Sequence, residues 1–217
     1  MTGAAPEIVC LPNGQFQENC YLVADQESGD AVIIDPGEDA GLFLAELGRR
    51  RWNPGAIWLT HAHIDHVMGV SAVREATGAP VYLHPADRQL YDHVADQAAW
   101  MGLTVVSLPP PDHDLAAGDV LPVGRFEFTV GLTPGHSPGS VSFFHDGVVF
   151  GGDVLFRESV GRTDLPGGDS ATLLASIRDR FLTLPDDTVV YSGHGPATTV
   201  GFERAHNPFL TGAHPLA

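Results

Sequence analysis

The sequence predicts an α+β chain in which two β-sheets pack face to face with helices outside. Three observations carry that expectation. Each half of the chain runs through several strands and then helices, and the apolar face of a sheet must be buried against another layer. Histidine or aspartate recurs where strands end, the place where α/β folds put their chemistry. The segment Thr60-His61-Ala62-His63-Ile64-Asp65-His66 lies between an apolar run and a helical pattern. The length of 217 residues permits one sizeable core or two small ones. Pro109-Pro110-Pro111 reads as a loop because β-like sequence resumes at once, so a single domain over 1–217 is expected.

Glu7 to Leu11 and Asn19 to Ala24 read as strands, joined by the turn-forming Pro12-Asn13-Gly14. A hairpin turn at Glu27-Ser28-Gly29-Asp30 leads into Ala31 to Ile34, which ends at Asp35-Pro36-Gly37. Leu42, Leu44, Ala45 and Leu47 predict a helix ending near Gly48. The run Ala56-Ile57-Trp58-Leu59 is a buried strand, and Val67 to Thr77 a helix stopped by Gly78. A short strand at Val81 to Leu83 precedes a helical stretch from Ala86 to about Trp100. In the second half, Val120 to Pro122 and Arg125 to Leu132 are strands, and Asp146-Gly147 pairs Val141 to His145 with Val148 to Phe150. The second strand of that pair ends in Gly151-Gly152-Asp153, a glycine-rich loop runs through Gly161-Arg162-Thr163-Asp164 and Gly167-Gly168, and Asp169-Ser170 is placed to cap a helix from Ala171 to Leu184. Thr188 to Tyr191 is the last strand, and Gly201 to Leu210 a short closing helix.

Composition excludes several function classes. The formal charge of −16 argues against a nucleic-acid partner, because binding a phosphate backbone needs clustered cations. The chain has no lysine, so a lysine nucleophile, Schiff base or general base is excluded. No apolar run reaches the ~18 residues needed to span a membrane, so no membrane partner is expected. Met1 to Glu7 lacks a basic region followed by an apolar stretch, which makes the cytoplasm the expected location. Cys10 and Cys20 make no disulfide framework and are expected to be buried apolar thiols. Oligomeric state is left open, association of like copies included.

The chemistry converges on a metal centre. Three imidazoles and a carboxylate within His61 to His66 are costly to bury and useless for packing, and their donor atoms suit zinc, iron or manganese. His136, Asp153 and His194 stand at other strand exits, each beside glycine, which lets the backbone approach an ion closely. Two divalent ions suit this set. His61, His63 and His136 supply one trio, Asp65, His66 and His194 the other, and Asp153 bridges. A metal pair ~3.5–4 Å apart lowers the pKa of a shared water and clamps attacking and leaving groups. Asp35, in an Asp-Pro-Gly turn, reads as a partner that holds a ligating imidazole rather than as a ligand. Arg162 has two readings, an anchor for a substrate carboxylate or an ion pair with Asp164 or Asp169. His84, His93, His113, His145, His206 and His214 are read as surface or turn residues.

These motifs resemble the metallo-β-lactamase superfamily, and within it small glyoxalase-II-like hydrolases. The likeness runs from Asn19-Cys20-Tyr21-Leu22-Val23 and Ile34-Asp35-Pro36-Gly37, through the histidine loop, Thr133-Pro134-Gly135-His136 and Gly152-Asp153, to Gly193-His194-Gly195-Pro196 and Asn207-Pro208-Phe209. It implies a four-layer αββα sandwich and a metal-dependent thioesterase acting on S-acylated small thiols such as hydroxyacylglutathione, with Asp65 orienting the attacking oxygen. Gly161-Arg162-Thr163-Asp164 is shared with persulfide dioxygenases, so an iron-dependent dioxygenase is the alternative, and a non-catalytic metal-binding module a second one. A cysteine ligand, common in true metallo-β-lactamases, is missing, which argues against β-lactam hydrolysis. The long C-terminal helical region with which glyoxalase II holds glutathione is also missing, and Ser140 stands where a further histidine is frequent.

Overall fold

A computed structural model describes residues 5–213. The first residues of the Met1 to Glu7 segment, and His214, lie outside the described part. Strands β1 (Glu7–Asn13), β2 (Glu18–Ala24), β3 (Asp30–Ile34), β4 (Asn53–Trp58), β5 (Val81–Leu83) and β6 (His113–Asp114) form one six-stranded sheet in that order. Its first three strands are antiparallel and the pairings from β3 to β6 parallel. Strands β7 (Val120–Val123), β8 (Phe126–Leu132), β9 (Val141–His145) and β10 (Val148–Gly152) belong to a second sheet. The hairpin β11 (Leu155–Phe156) and β12 (Ser159–Val160) stands apart from it. Strand β13 (Val189–Ser192) pairs parallel to β10, and β14 (Thr198–Thr199) closes that edge.

Alternation along the strands sorts side chains into layers, because successive residues of a strand point to opposite faces. On β2, Cys20, Leu22 and Ala24 join the core under the outer helices, while Tyr21 and Val23 join the core between the sheets. On β3, Ala31 and Ile33 face outward and Val32 and Ile34 inward. Trp58 of β4 crosses the gap to Phe143 of β9, with ring centroids 5.0 Å apart. On β10, Phe150 faces the inter-sheet core and Val149 the opposite core. Helices α1 (Ala40–Arg50), α2 (Ile64–Val67), α3 (Val70–Thr77), α4 (Arg88–Asp92) and α5 (Val94–Trp100) supply buried residues to the first outer layer. Helices α6 (Ser170–Ser176) and α7 (Val200–His206) supply the other. The fold is therefore the αββα sandwich expected.

Several local expectations are corrected. The helix expected from Ala171 to Leu184 is α6 followed by a π-helical turn, Ile177–Phe181, although Asp169 caps it through Thr172 N at 2.7 Å. The β11–β12 hairpin lies between Asp153 and the glycine-rich loop, where the sequence predicts no strand. Cys20 is buried, but Cys10 is exposed, since β1 is the edge of its sheet. No helix among the described residues is long and apolar enough to cross a membrane.

The helix expected over Val67 to Thr77 is interrupted at Met68-Gly69, between α2 and α3. Gly69 N donates to the Pro36 carbonyl at 2.9 Å, and a Cβ at Gly69 would lie 2.4 Å from the Gly37 carbonyl oxygen. Close backbone approach, which only glycine allows here, locks the histidine segment to the Asp35-Pro36-Gly37 turn. Gly69→Ala should therefore destabilise the protein by about 1–3 kcal/mol in chemical denaturation. An unchanged midpoint would show that the turn yields without cost.

Candidate metal centre

The histidine segment leaves the end of β4 at Leu59-Thr60 and enters α2 at Ile64, so its side chains gather above the carboxyl ends of the parallel strands. His136 follows β8, Asp153 follows β10 and His194 follows β13, bringing all the sequence-derived ligands to one end of the sandwich. His136 Nε2 lies 2.8 Å from His63 Nδ1 and 3.2 Å from His61 Nε2. His194 Nε2 is 3.1 Å from Asp65 Oδ2, and His66 Nε2 is 3.8 Å from the same oxygen. Asp153 stands between the two groups. Its Oδ2 is 3.4 Å from His136 Nε2 and 3.6 Å from His194 Nε2, and its Oδ1 is 3.4 Å from His66 Nε2. Potential donor atoms of His61, His63 and His136, and those of Asp65, His66 and His194, each fall within 4.8 Å of one another. A Cβ at Gly193 would sit 2.1 Å from Asp153 Oδ1, so glycine before His194 is what lets that loop pass the carboxylate.

The donors fit divalent cations on the structure's own terms. His66 Nε2 and Asp153 Oδ1, 3.4 Å apart, are buried without a hydrogen-bond partner, a costly arrangement in the absence of a bound ion, while His63 meets the trio through Nδ1. The opposite ring nitrogens are mostly tied back. His61 Nδ1 contacts Thr60 Oγ1 at 3.0 Å, His66 Nδ1 contacts Asp35 Oδ2 at 3.1 Å, His136 Nδ1 contacts the Arg162 carbonyl at 2.7 Å and His194 Nδ1 the Phe16 carbonyl at 3.2 Å. Such contacts fix the ring orientation of a metal ligand. Asp35 also accepts from Thr60 N and Thr60 Oγ1 at 2.7 and 2.6 Å, and its carboxylate lies within 4.8 Å of donor atoms of His61 and His66, so the geometry accommodates it as a holder or as a ligand. The Arg162 side chain forms a fork on Asp164, at 2.7 and 2.8 Å, which is the ion-pair reading of that residue. His84 is half-buried and bonded to Ala86 N, and His93, His113 and His206 are exposed, so none of them joins the cluster.

Electrostatics divide the two groups. Burial, then the neighbouring imidazoles, push His61 well below the usual histidine range and lower His63 to about 3, so both are neutral near pH 7. Burial would also lower His66 and His194, but Asp153 and Asp65 outweigh it and raise both. Burial alone would raise the Asp153 carboxyl, yet His66 first, then His136 and His61, hold it well below the carboxylate range.

Sequence reading missed the residues that assemble the centre. Asp87, fully buried between β5 and α4, accepts from Ala62 N at 3.0 Å, Ser137 Oγ at 2.7 Å and Gly139 N at 2.6 Å, joining the two loops that carry the imidazole trio. Gln97 of α5 bonds Ile64 N and the Ala62 carbonyl, at 3.0 and 3.1 Å. On β2, Asn19 Nδ2 and Tyr21 Oη donate to the Ser192 carbonyl beneath His194, at 3.0 and 2.6 Å. Glu18, also buried, accepts from Asn13 at 2.7 Å and approaches His66 Nδ1 at 3.7 Å. Asp87, Gln97 and Glu18 each stand alone in the sequence without a recurring spacing, whereas Asn19 and Tyr21 lie in the Asn19-Cys20-Tyr21-Leu22-Val23 stretch that carries the family likeness.

A family model described as the metallo-beta-lactamase superfamily matches residues 13–194. The curated hydroxyacylglutathione hydrolase GloC of Haemophilus influenzae is 38% identical over 94% of this chain and 97% of its own length. Among solved structures, BLEG-1 B3 metallo-beta-lactamase superposes with TM-score 0.89 at 46% identity, covering 94% of this chain and all of that one. TTHA1623, solved in a di-iron-bound form, gives 0.86 at 46% identity and 93% coverage of this chain, 100% of its own. ETHE1 from Myxococcus xanthus gives 0.80 at 29% identity, covering 95% of this chain and 85% of that one.

Two tests follow from the geometry. Asp87→Ala strands buried donors on both loops, and should weaken metal binding by about 10- to 100-fold in chelator competition. Unchanged affinity would make Asp87 a packing residue only. His66 and His194 hold protons to higher pH than His61 and His63, and protons compete with metal for the same lone pairs. Dialysis from about pH 8 to about pH 6 should therefore empty the Asp65–His66–His194 group before the trio, read by elemental analysis. Loss of all metal in one step would contradict that order.

Proposed function

We propose that this chain, which belongs to the metallo-beta-lactamase superfamily, is a metal-dependent hydrolase that cleaves thioesters of small thiols. The observation that carries the reading is the pair of donor groups on either side of Asp153, with His66 Nε2 and Asp153 Oδ1 buried, unpartnered and facing one another at 3.4 Å. His61, His63 and His136 would hold one ion and Asp65, His66 and His194 the other, with Asp153 shared. Zinc, iron and manganese all suit imidazole and carboxylate donors, and the di-iron form of TTHA1623 supports iron as readily as zinc. Ions bound there would supply an acidified water and polarise the substrate carbonyl.

The chain's own residues do the rest. Asp65 lines the floor of the cavity beside His194, placed to accept a hydrogen bond from the attacking water and to aim it. Its carboxyl is kept ionised, since His66 and His194 outweigh the effect of burial. As the new C–O bond forms and the C–S bond breaks, the departing thiolate, with a pKa near ~8.5, needs no strong acid to leave. The proton released by the water passes to the thiol or to solvent. GloC supports this substrate class by its name and its coverage of nearly the whole chain.

A second reading has a specific observation behind it. His61, His136 and Asp153 would serve as a two-histidine, one-carboxylate set for a single iron, and the Gly161-Arg162-Thr163-Asp164 motif that resembles persulfide dioxygenases supports persulfide oxidation. The similarity to BLEG-1 also weakens the argument that a missing cysteine excludes β-lactams.

One preparation separates these. Metal-stripped protein should lose S-lactoylglutathione cleavage and regain it on adding zinc, manganese or iron. Iron-loaded protein given glutathione persulfide in air should consume little oxygen, and a chromogenic cephalosporin should be cleaved at least ~100-fold less efficiently than the thioester. Rapid oxygen uptake without thioester cleavage would replace hydrolysis by oxidation, and efficient cephalosporin cleavage alone would move the substrate class to β-lactams.

A further inference from the structure

His63, Asp65, His136, Asp153 and His194 form the floor of a cavity of about 710 Å³. One wall comes from the α4–α5 side and presents Leu90, Trp100 and Met101, and the other presents Phe16, Phe156 and Leu165. Trp100 is 74% exposed and Met101 46%, at the end of α5. Large apolar side chains left open to water beside a lined cavity mark a surface that gains by covering a ligand.

Charge on the same walls points the same way. Arg162 is the sole arginine among the lining residues, the chain has no lysine, and the Arg162 guanidinium is already forked on Asp164. Asp96 adds a carboxylate to the rim. His93, also in the lining, has Nδ1 engaged with the Gln89 carbonyl at 2.8 Å. A tripeptide thiol such as glutathione brings two carboxylates into a site, and tight recognition of each needs a cation or a set of free donors. These walls offer apolar area instead.

We propose that the apolar wall is an acyl-group site, so that the enzyme favours medium-chain or aromatic acyl groups over small ones and gains nothing from charge on the thiol that carries them. The inference rests on the thioesterase reading for its chemistry, but the site itself is testable by binding alone. The acyl chain lies along Leu90, Trp100 and Met101, and its carbonyl reaches the floor between His136 and Asp65. The thiol portion faces the mouth, where no charged anchor is required.

Calorimetric titration of metal-loaded protein with non-hydrolysable thioethers tests this. S-hexyl-N-acetylcysteamine should bind at least ~10-fold more tightly than the S-methyl compound, because the added methylenes leave water. S-hexylglutathione should gain no more than ~3-fold over the uncharged S-hexyl ligand, since no free cation meets its carboxylates. Trp100→Ala, at an exposed position that leaves folding intact by circular dichroism, should shrink the hexyl preference to ~3-fold or less. Equal binding of methyl and hexyl ligands would overturn the proposal. So would a ~10-fold or larger advantage for the glutathione ligand, which would return Arg162 to the role of carboxylate anchor. Hydrolysis of hexanoyl- and acetyl-N-acetylcysteamine is measured in parallel. A hexyl preference in binding without any thioester cleavage would support the apolar site while removing the thioesterase reading.

Discussion

The outward ring nitrogens of the buried imidazoles set the terms for the rest of the structure. An imidazole that turns one nitrogen to a common centre leaves the other to be satisfied in the protein interior. Thr60 Oγ1 meets that demand for His61, Asp35 for His66, and backbone carbonyls of Arg162 and Phe16 for His136 and His194. Asp35 does most, because its carboxylate also binds Thr60 through backbone and hydroxyl. To reach all three it adopts φ of 50°, a left-handed backbone that costs a non-glycine residue about 1–3 kcal/mol. A strained aspartate immediately after β3 is tolerated because the surrounding hydrogen bonds over-determine it.

Those requirements tie distant parts of the chain together. Asp87 spans the histidine loop and the loop after β8, and Asn19 and Tyr21 hold the loop after β13 from the opposite sheet. The centre therefore lies where both sheets end, and neither sheet could hold it alone. The inter-sheet core fixes the separation: Trp58 on Phe143, and Tyr21 on Phe150 at 5.2 Å, set how closely the two sets of strand ends approach. Interiors packed this densely transmit small displacements, so a packing change far below the centre alters ligand geometry above it.

What could be read from the sequence follows the range of the physical signal. His61, His63, Asp65 and His66 are legible because four donors within one turn have no packing use. His136, Asp153 and His194 are legible because each combines a donor, a strand exit and an adjacent glycine. The strands of both sheets show in their apolar runs, but β2 and β3 are apolar on both faces, so which side chains enter which core appears only in the structure. Asp87, Gln97 and Glu18 carry no such local mark, since their partners are supplied only by tertiary contact. The interruption at Gly69 is hidden for the same reason, as the Pro36 and Gly37 carbonyls that cause it lie on another turn. Cys10 reads as buried from its apolar neighbours, but the order of strands places it at an edge. Strands β6 and β14, two residues each, exist only because a neighbour pairs with them.

The two donor groups are also electrically unequal. His61, His63 and His136 are all imidazoles, with the first two kept neutral by burial and mutual proximity. The other group includes the Asp65 carboxylate, which cancels part of a cation's charge. An ion held by three imidazoles would keep more of its field for a polarisable group, whereas one beside Asp65 would have part of its charge offset by the carboxylate. Asp153, in reach of both groups, keeps the two positions coupled. That asymmetry places the less charge-compensated position on the trio's side of the cavity and the more compensated one beside His194.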